Sequence, residues 1–516
     1  MSAASPTATG SPAGFQRLVA AVTSRPLWIA LAITATMTVL RMAGSVDSDV
    51  AWQLWIAGRI HAGANLYRDI IETNPPLWFW MALPIDRIAA LLNVRIEAVL
   101  VAAIGATSAL SLMATDRLIG HITPGRRAAL LGYGALVLIA VPWVHLGQRE
   151  QIALIGTLPY AALIAARRER RQTSSVLAAL VGAGAALGFA LKQYFLVVPA
   201  LLELWLFLAA QRTWRPIRPE TIAMVTVGAV YAAALLLLER DFITNIVPLI
   251  HLAYGSFGAP SLGYMFSPFA VVGLGTLALV ASQWRLLAGR SAPFAAALTI
   301  AAFGFATAYF MQFKGWPYHA IPLIGCASLA LVAAIAESND PLRHLRLLAP
   351  ALLALPLFLS VQEERHPMLP NADLREAVSG LKAGDTIGFL ATETAVPWSI
   401  TLQGGYRYAS RYNGFWMLPA IMRNEHEGNS KPRLASLGRR IVGETVVDFS
   451  CMRPKRIIVA RPRPGEAGFD ILPFFARDPR FRALLLNYRV THRTGLETYE
   501  LTSPLPVPTA PCREGV

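Results

Sequence analysis

Apolar runs of about 20 residues, the length a helix needs to cross a bilayer, recur along the first two thirds of this chain. A water-soluble core cannot absorb that many in succession, so the pattern predicts a polytopic α-helical membrane protein. Composition agrees: of 516 residues, 55% are hydrophobic and 15% charged, and mean hydropathy is +0.47. Spans are predicted at 26–45, 95–119, 128–145, 151–166, 174–191, 194–210, 221–238, 266–284, 292–311, 319–336 and 346–361. Glu203 is the main ionisable residue read at the midplane.

The formal net charge is +15. A basic surface can signal nucleic acid, but here the arginines gather in short loops: Arg126 and Arg127; Arg167, Arg168, Arg170 and Arg171; Arg212, Arg215 and Arg218; Arg285 and Arg290. That is the positive-inside pattern, and a basic face on anionic lipid needs no nucleic-acid partner. With the N-terminus inside, these loops share one side only if the apolar run 75–92, broken by Pro84, Asp86 and Arg87, does not cross. It is therefore expected to lie in the outer interface as a juxtamembrane helix. Eleven spans follow, with the C-terminal part outside a bacterial inner membrane, in the periplasm.

The expected organisation is a disordered cytoplasmic segment 1–25, a transmembrane domain 26–361 with an outer loop 46–94, a periplasmic α/β domain 362–502, and a Pro-rich tail 503–516. The first apolar run lacks a cleavage site and is expected to stay as an anchor. In the α/β domain, 386–392, 456–460 and 498–502 read as strands, and 371–381 and 479–486 as helices. Cys451 and Cys512 can pair if this domain faces an oxidising compartment.

The first loop carries the chemistry. Asp47-Ser-Asp49 follows directly on a span. Asp69 and Glu72 come next, and Pro75-Pro76 then restricts the chain. Asp47 or Asp49 can serve as a helix cap or, with a pKa raised at a low-dielectric boundary, as a general base. Trp52, Trp55 and Ile56 suit the headgroup region. The same face gathers Arg149, Lys192, Arg240 and Lys314, suited to a lipid phosphate or to snorkelling. Glu150 either closes the turn with Arg149 or joins the substrate site. Tyr67, Asp69, Trp316, Tyr318 and His319 are further substrate-binding candidates. Trp316, Tyr318, Tyr194 and Tyr264 also fit an aromatic belt. Glu72 and His251 are the candidate ligands for one divalent metal. No Gly-rich phosphate loop occurs, so no nucleotide cofactor is expected.

The run from Asp47 to Trp80 resembles the first outer loop of the GT-C class of membrane glycosyltransferases, in the branch of protein O-mannosyltransferases and lipid A aminoarabinose transferases. The matching residues are Asp47/Asp49, the Gly63–Tyr67 turn and Pro75-Pro76-Leu77; Asp478-Pro-Arg-Phe481 before Tyr488 looks like the tail domain of bacterial members. The resemblance implies a GT-C fold and a polyprenyl-phosphate sugar donor used on the outer face. The acceptor would be lipopolysaccharide, polysaccharide, glycolipid or protein. The base would be an aspartate at the Asp47/Asp49 position, with Asp49 preferred, and the metal positions would be Glu72 and His251. Asn74 stands where a relative has lysine, which implies a phosphate contact moved to Arg149 or Lys192. The competing reading is a transporter or lipid flippase, favoured by Glu203 and the Gly182/Gly184/Gly188 run. A noncatalytic scaffold is the third.

Overall fold

The computed structural model describes residues 25–210, 214–254, 262–287, 292–337, 343–365, 371–426, 431–460, 470–493, 496–505 and 512. The expected N-terminal disorder and most of the Pro-rich tail lie outside these residues. A helix occupies each predicted span: Pro26–Met42, Ile96–Leu118, Pro124–Ile139, Arg149–Arg168, Ser175–Ala190, Val197–Ala210, Pro219–Leu238, Pro268–Ala281, Pro293–Gln312, Ile321–Glu337 and Arg343–Arg365. Proline opens several of them, where its missing N–H has no intrahelical partner to lose. Among the described residues, four helices are by themselves long and apolar enough to cross a membrane: Ile96–Leu118, Pro219–Leu238, Pro293–Gln312 and Pro317–Glu337.

Helices Arg149–Arg168 and Ile321–Glu337 are buried almost throughout and form the centre of the bundle. Helix Pro219–Leu238 is peripheral, with only Glu220 buried. Small residues let these helices close on one another. A Cβ on Gly156 would fall 2.9 Å from the Gly184 carbonyl oxygen, one on Gly188 3.0 Å from Ala153 Cα, and one on Gly182 2.3 Å from the Glu220 carbonyl oxygen. The glycine run therefore serves helix packing rather than a broken-helix transport site. Glu203 is also reassigned. It accepts from Arg218 and, at 3.0 Å, from the Tyr160 hydroxyl. Arg218 also pairs with Glu220 at 3.0 Å, and Arg167 grips Glu220 through two bonds of 2.9 Å. Glu203 thus belongs to a network at the arginine-rich end and is not a lone charge in the bundle.

At the opposite end, the first loop forms two helices that pack together, Ser48–His61 and Leu77–Leu92. The second ends at Asn93 in the left-handed region and leaves Leu91 and Leu92 exposed, as an interfacial helix would. Trp52 and Trp55 do not face headgroups. They stack on each other, with ring centroids 4.9 Å apart, and pack against Trp398 at 4.9 and 5.3 Å. Trp398 belongs to the C-terminal domain, so this face of the helix is the domain's seat. Ile71 N–H also donates to the Arg411 carbonyl at 2.8 Å.

That domain is α/β, with a five-stranded sheet of order β2-β1-β3-β5-β4. β1 (Thr386–Leu390) runs parallel to β2 (Arg407–Tyr408) and β3 (Arg456–Ala460); β5 (Leu496–Leu501) is antiparallel to β3 and to β4 (Tyr488–Arg493). The expected strands and the helices Asn371–Ala377 and Pro479–Leu485 are present. Sequence reading missed β2, β4 and the long amphipathic helix Pro432–Met452. Cys451 and Cys512 form a disulfide across 61 residues.

Candidate functional site

The bundle end beneath the C-terminal domain brings four separate turns together. Asp47 caps helix Ser48–His61, its Oδ1 accepting from Asp49 N–H at 2.7 Å and from Gln148 Nε2 at 3.1 Å. Its Oδ2 lies 2.6 Å from His145 Nδ1. His145 Nε2 lies 2.9 Å from Glu363 Oε1, on the helix that leads into the C-terminal domain. Burial opposes a charge on this imidazole, but the hydrogen bonds and negative charges of Asp47 and Glu363 outweigh it and push its pKa up to about 10. His145 is thus a cation at neutral pH, donating to both carboxylates.

Asp49 sits in the first turn of the same helix and has a different environment. Its Oδ2 accepts from the Tyr318 hydroxyl at 3.1 Å. Burial, reinforced by the neighbouring charge of Asp47, pushes its pKa up to about 6; Arg149 and the Tyr318 bond pull the other way. Asp47 is the anchored carboxylate and Asp49 the lightly held one.

Beside them lies a cluster of cations. Lys192 Nζ donates to Glu150 Oε1 at 2.5 Å and Gln312 Oε1 at 2.9 Å, and lies 3.3 Å from His319 Nε2. Burial, with help from Arg149, outweighs Glu150 and pushes its pKa down to about 8. Burial and Arg149 also lower that of Lys314, whose Nζ rests 4.5 Å from the Trp316 ring centroid. Arg149 opens helix Arg149–Arg168 and is only 5% exposed. Its Nε and Nη1 have no hydrogen-bond partner among the described residues; nor do Gln148 Oε1, Glu150 Oε2 and His319 Nδ1. Buried polar atoms are nearly always partnered, so five orphans converging here mark a place built to receive a polar group.

Other expected site residues take different places. Tyr67 is buried at φ +69, donates to the Asn74 carbonyl at 2.7 Å and packs on Phe242, which makes it a loop strut. Asp69 closes the same loop by accepting from Asn65 N–H and Nδ2 at 2.9 and 3.0 Å. Arg240 is exposed, beyond the end of helix Pro219–Leu238, and donates back to that helix's Leu236 carbonyl. Glu72 is buried and accepts from Trp52 Nε1 and, at 2.7 and 2.6 Å, from Asn74 N–H and Nδ2. His251 is exposed. Glu72 is thus committed to protein donors and does not fit the expected metal role with His251, and no cluster of three metal-ligating side chains occurs among the described residues. Asn74 latches Glu72 through its N–H and Nδ2.

Sequence reading missed His145, Gln148, Gln312 and Glu363 as members of the site. His145 and Gln148 were signalled by their place in the turn leading to Arg149. Glu363 carried no such signal, being 218 residues from its partner.

No protein-family model matches the chain, and no curated protein matches it in sequence. Solved structures do match. ArnT from Cupriavidus metallidurans, determined bound to undecaprenyl phosphate, is 12% identical, with 95% of this chain and 98% of that one covered and a TM-score of 0.50. The Archaeoglobus fulgidus oligosaccharyltransferase, determined with Zn and sulfate, gives 12% identity, coverage of 92% and 73%, and a TM-score of 0.46. The arabinofuranosyltransferase AftD from Mycobacteria gives 12% identity and a TM-score of 0.46, covering 92% of this chain and 40% of AftD. The ArnT match shows that this chain shares the fold of ArnT.

Proposed function

We propose, from the fold shared with ArnT and the geometry of its site end, that this protein is a membrane glycosyltransferase. It moves a sugar from a polyprenyl phosphate to an acceptor hydroxyl or amine. The observation that carries this reading is the pairing of a lightly held, pKa-raised Asp49 with a buried Arg149 whose guanidinium nitrogens Nε and Nη1 lack partners among the described residues. ArnT was determined with undecaprenyl phosphate bound, the class of carrier lipid that the proposed donor leaves behind.

In the proposed reaction Asp49 takes the proton from the acceptor. The acceptor's oxygen or nitrogen attacks the anomeric carbon, and the bond from that carbon to the phosphate oxygen breaks with inversion. The charge that develops on the departing lipid phosphate falls to Arg149, with Lys192 and Lys314 alongside. Asp47, hydrogen-bonded to His145, acts through position: it caps the helix that presents Asp49 and raises the affinity of Asp49 for a proton.

The proposed topology has eleven crossings, the arginine-rich end in the cytoplasm and the site in the periplasm. The disulfide Cys451–Cys512 supports an oxidising compartment for the C-terminal domain, and the arginine loops support the opposite face as cytoplasmic. A transporter reading loses its two supports once Glu203 and the glycine run are placed in packing and ion-pair roles. The decisive assay incubates purified protein with a series of polyprenyl-phosphate sugars and candidate acceptors. Sugar appearing on an acceptor supports the proposal; every donor left intact while the protein carries lipid or solute across a liposome membrane would sink it.

A further inference from the structure

A second site lies away from the catalytic cluster, where the last turns of helix Ser48–His61 meet the C-terminal domain. A cavity of about 320 Å³ opens there. That volume is at the low end for small-molecule sites. It is lined by Trp55, Tyr406 and Tyr408, by Ala62 and Met452, and by the cations Arg59 and Arg407. Arg59 stacks on Trp55, its guanidinium carbon 5.4 Å from the ring centroid, and its buried Nε has no hydrogen-bond partner among the described residues. Arg407 is exposed and donates through Nε to the Gly384 carbonyl at 3.1 Å.

A deeper recess shares Trp55, Arg59 and Tyr408 and adds Asp69, Arg411 and Asp448. The floor is closer to neutral than the mouth: Arg411 binds Asp448 through Nε at 3.1 Å and Nη2 at 2.5 Å, and Asp69 is held by Asn65. Asp69 and Asp448 also act on Arg59, so the positive excess of the groove lies chiefly with Arg407. An aromatic lining takes the apolar side of a sugar ring, and a guanidinium forks onto a carboxylate or phosphate.

We infer that this groove is a subsite for an anionic sugar unit, carboxylated or phosphorylated, of the acceptor glycan. This rests on the transferase reading. Arg59 follows Asp49 by ten residues on one helix, a rise of about 15 Å, which a short oligosaccharide spans. One end would sit in the groove while its attacking group reaches Asp49.

The test uses full-length protein in nanodiscs of neutral lipid and a fluorescent oligoglucuronate as probe, with a neutral glucose oligosaccharide of equal length as control. Wild type should bind the uronate and bind the neutral sugar at least tenfold more weakly. Arg407→Gln, at an exposed position and with folding checked by gel filtration, should weaken uronate binding about tenfold, the scale of one charge-assisted hydrogen bond; Arg59→Gln should do so too. Equal binding of both sugars, or unchanged binding by both variants, overturns the proposal. Loss of probe binding when anionic phospholipid is added to the nanodisc means the groove takes a lipid headgroup, and overturns it as well. Binding is read without turnover. A protein that binds the probe yet transfers no sugar overturns the transferase reading, whereas one that transfers but ignores the probe overturns the groove alone.

Discussion

Replacing Asp49 and Asp47 one at a time by asparagine separates the two carboxylates that sequence alone leaves paired. In Asp49→Asn the amide keeps the shape of the carboxylate and the contact to Tyr318 but cannot take a proton. A positioned general base is worth about 10²–10⁴-fold, so Asp49→Asn should lower kcat by that factor, about 3–5 kcal/mol in barrier, with little change in KM for the donor. Asp47→Asn does something else. It retains the cap on the backbone N–H of Asp49 but places an amide against His145, which now has one carboxylate partner, Glu363. It also removes the charge that helps raise Asp49. Activity should persist within about tenfold, and the acid limb of the pH profile should move to lower pH. The assay is transfer from a radiolabelled polyprenyl-phosphate sugar, with folding checked by gel filtration in detergent. Full activity in Asp49→Asn, or the larger loss in Asp47→Asn, would refute the assignment.

The remaining predictions draw on the same geometry. For the wild type, kcat/KM should rise with pH through about 6 as Asp49 deprotonates and fall through about 8 as Lys192 loses its proton. Lys192→Arg should remove the alkaline limb and leave the acid one. Arg149→Gln should raise donor KM and lower kcat together, with a combined loss in kcat/KM of about 10–100-fold, measured by donor titration. Cys451→Ser should lower the stability of the C-terminal domain by about 2–4 kcal/mol, seen as a lower Tm for the wild type in reductant and no further drop for the variant.

How far the sequence could be read depended on whether a feature is set locally. Spans are: an apolar run of the right length becomes a helix whatever surrounds it, and helices stand at all the expected positions. The long helix Pro432–Met452 was overlooked because its charged face masks an amphipathic period. Trp52 and Trp55 were given to lipid headgroups because an aromatic helix beside a membrane reads that way. Only the tertiary structure supplies Trp398 and Tyr408 as partners. The site divides in the same manner. Asp47, Asp49, Arg149, Lys192, Tyr318 and His319 could be named from their turns. Their division of labour could not, since it depends on His145 reaching Glu363 across the bundle and on both oxygens of Asp47 being taken. Glu72 looked like a ligand until Trp52 and Asn74 were seen to occupy it.

The most direct measurement of the central claim follows the lipid. Wild-type protein is reconstituted in liposomes with a polyprenyl-phosphate sugar, and free polyprenyl phosphate is quantified by chromatography with and without acceptor. The account predicts polyprenyl phosphate released in step with glycosylated acceptor, and release about 10²–10⁴-fold slower from Asp49→Asn. A donor that stays intact in the presence of acceptor while crossing from one leaflet to the other would contradict it.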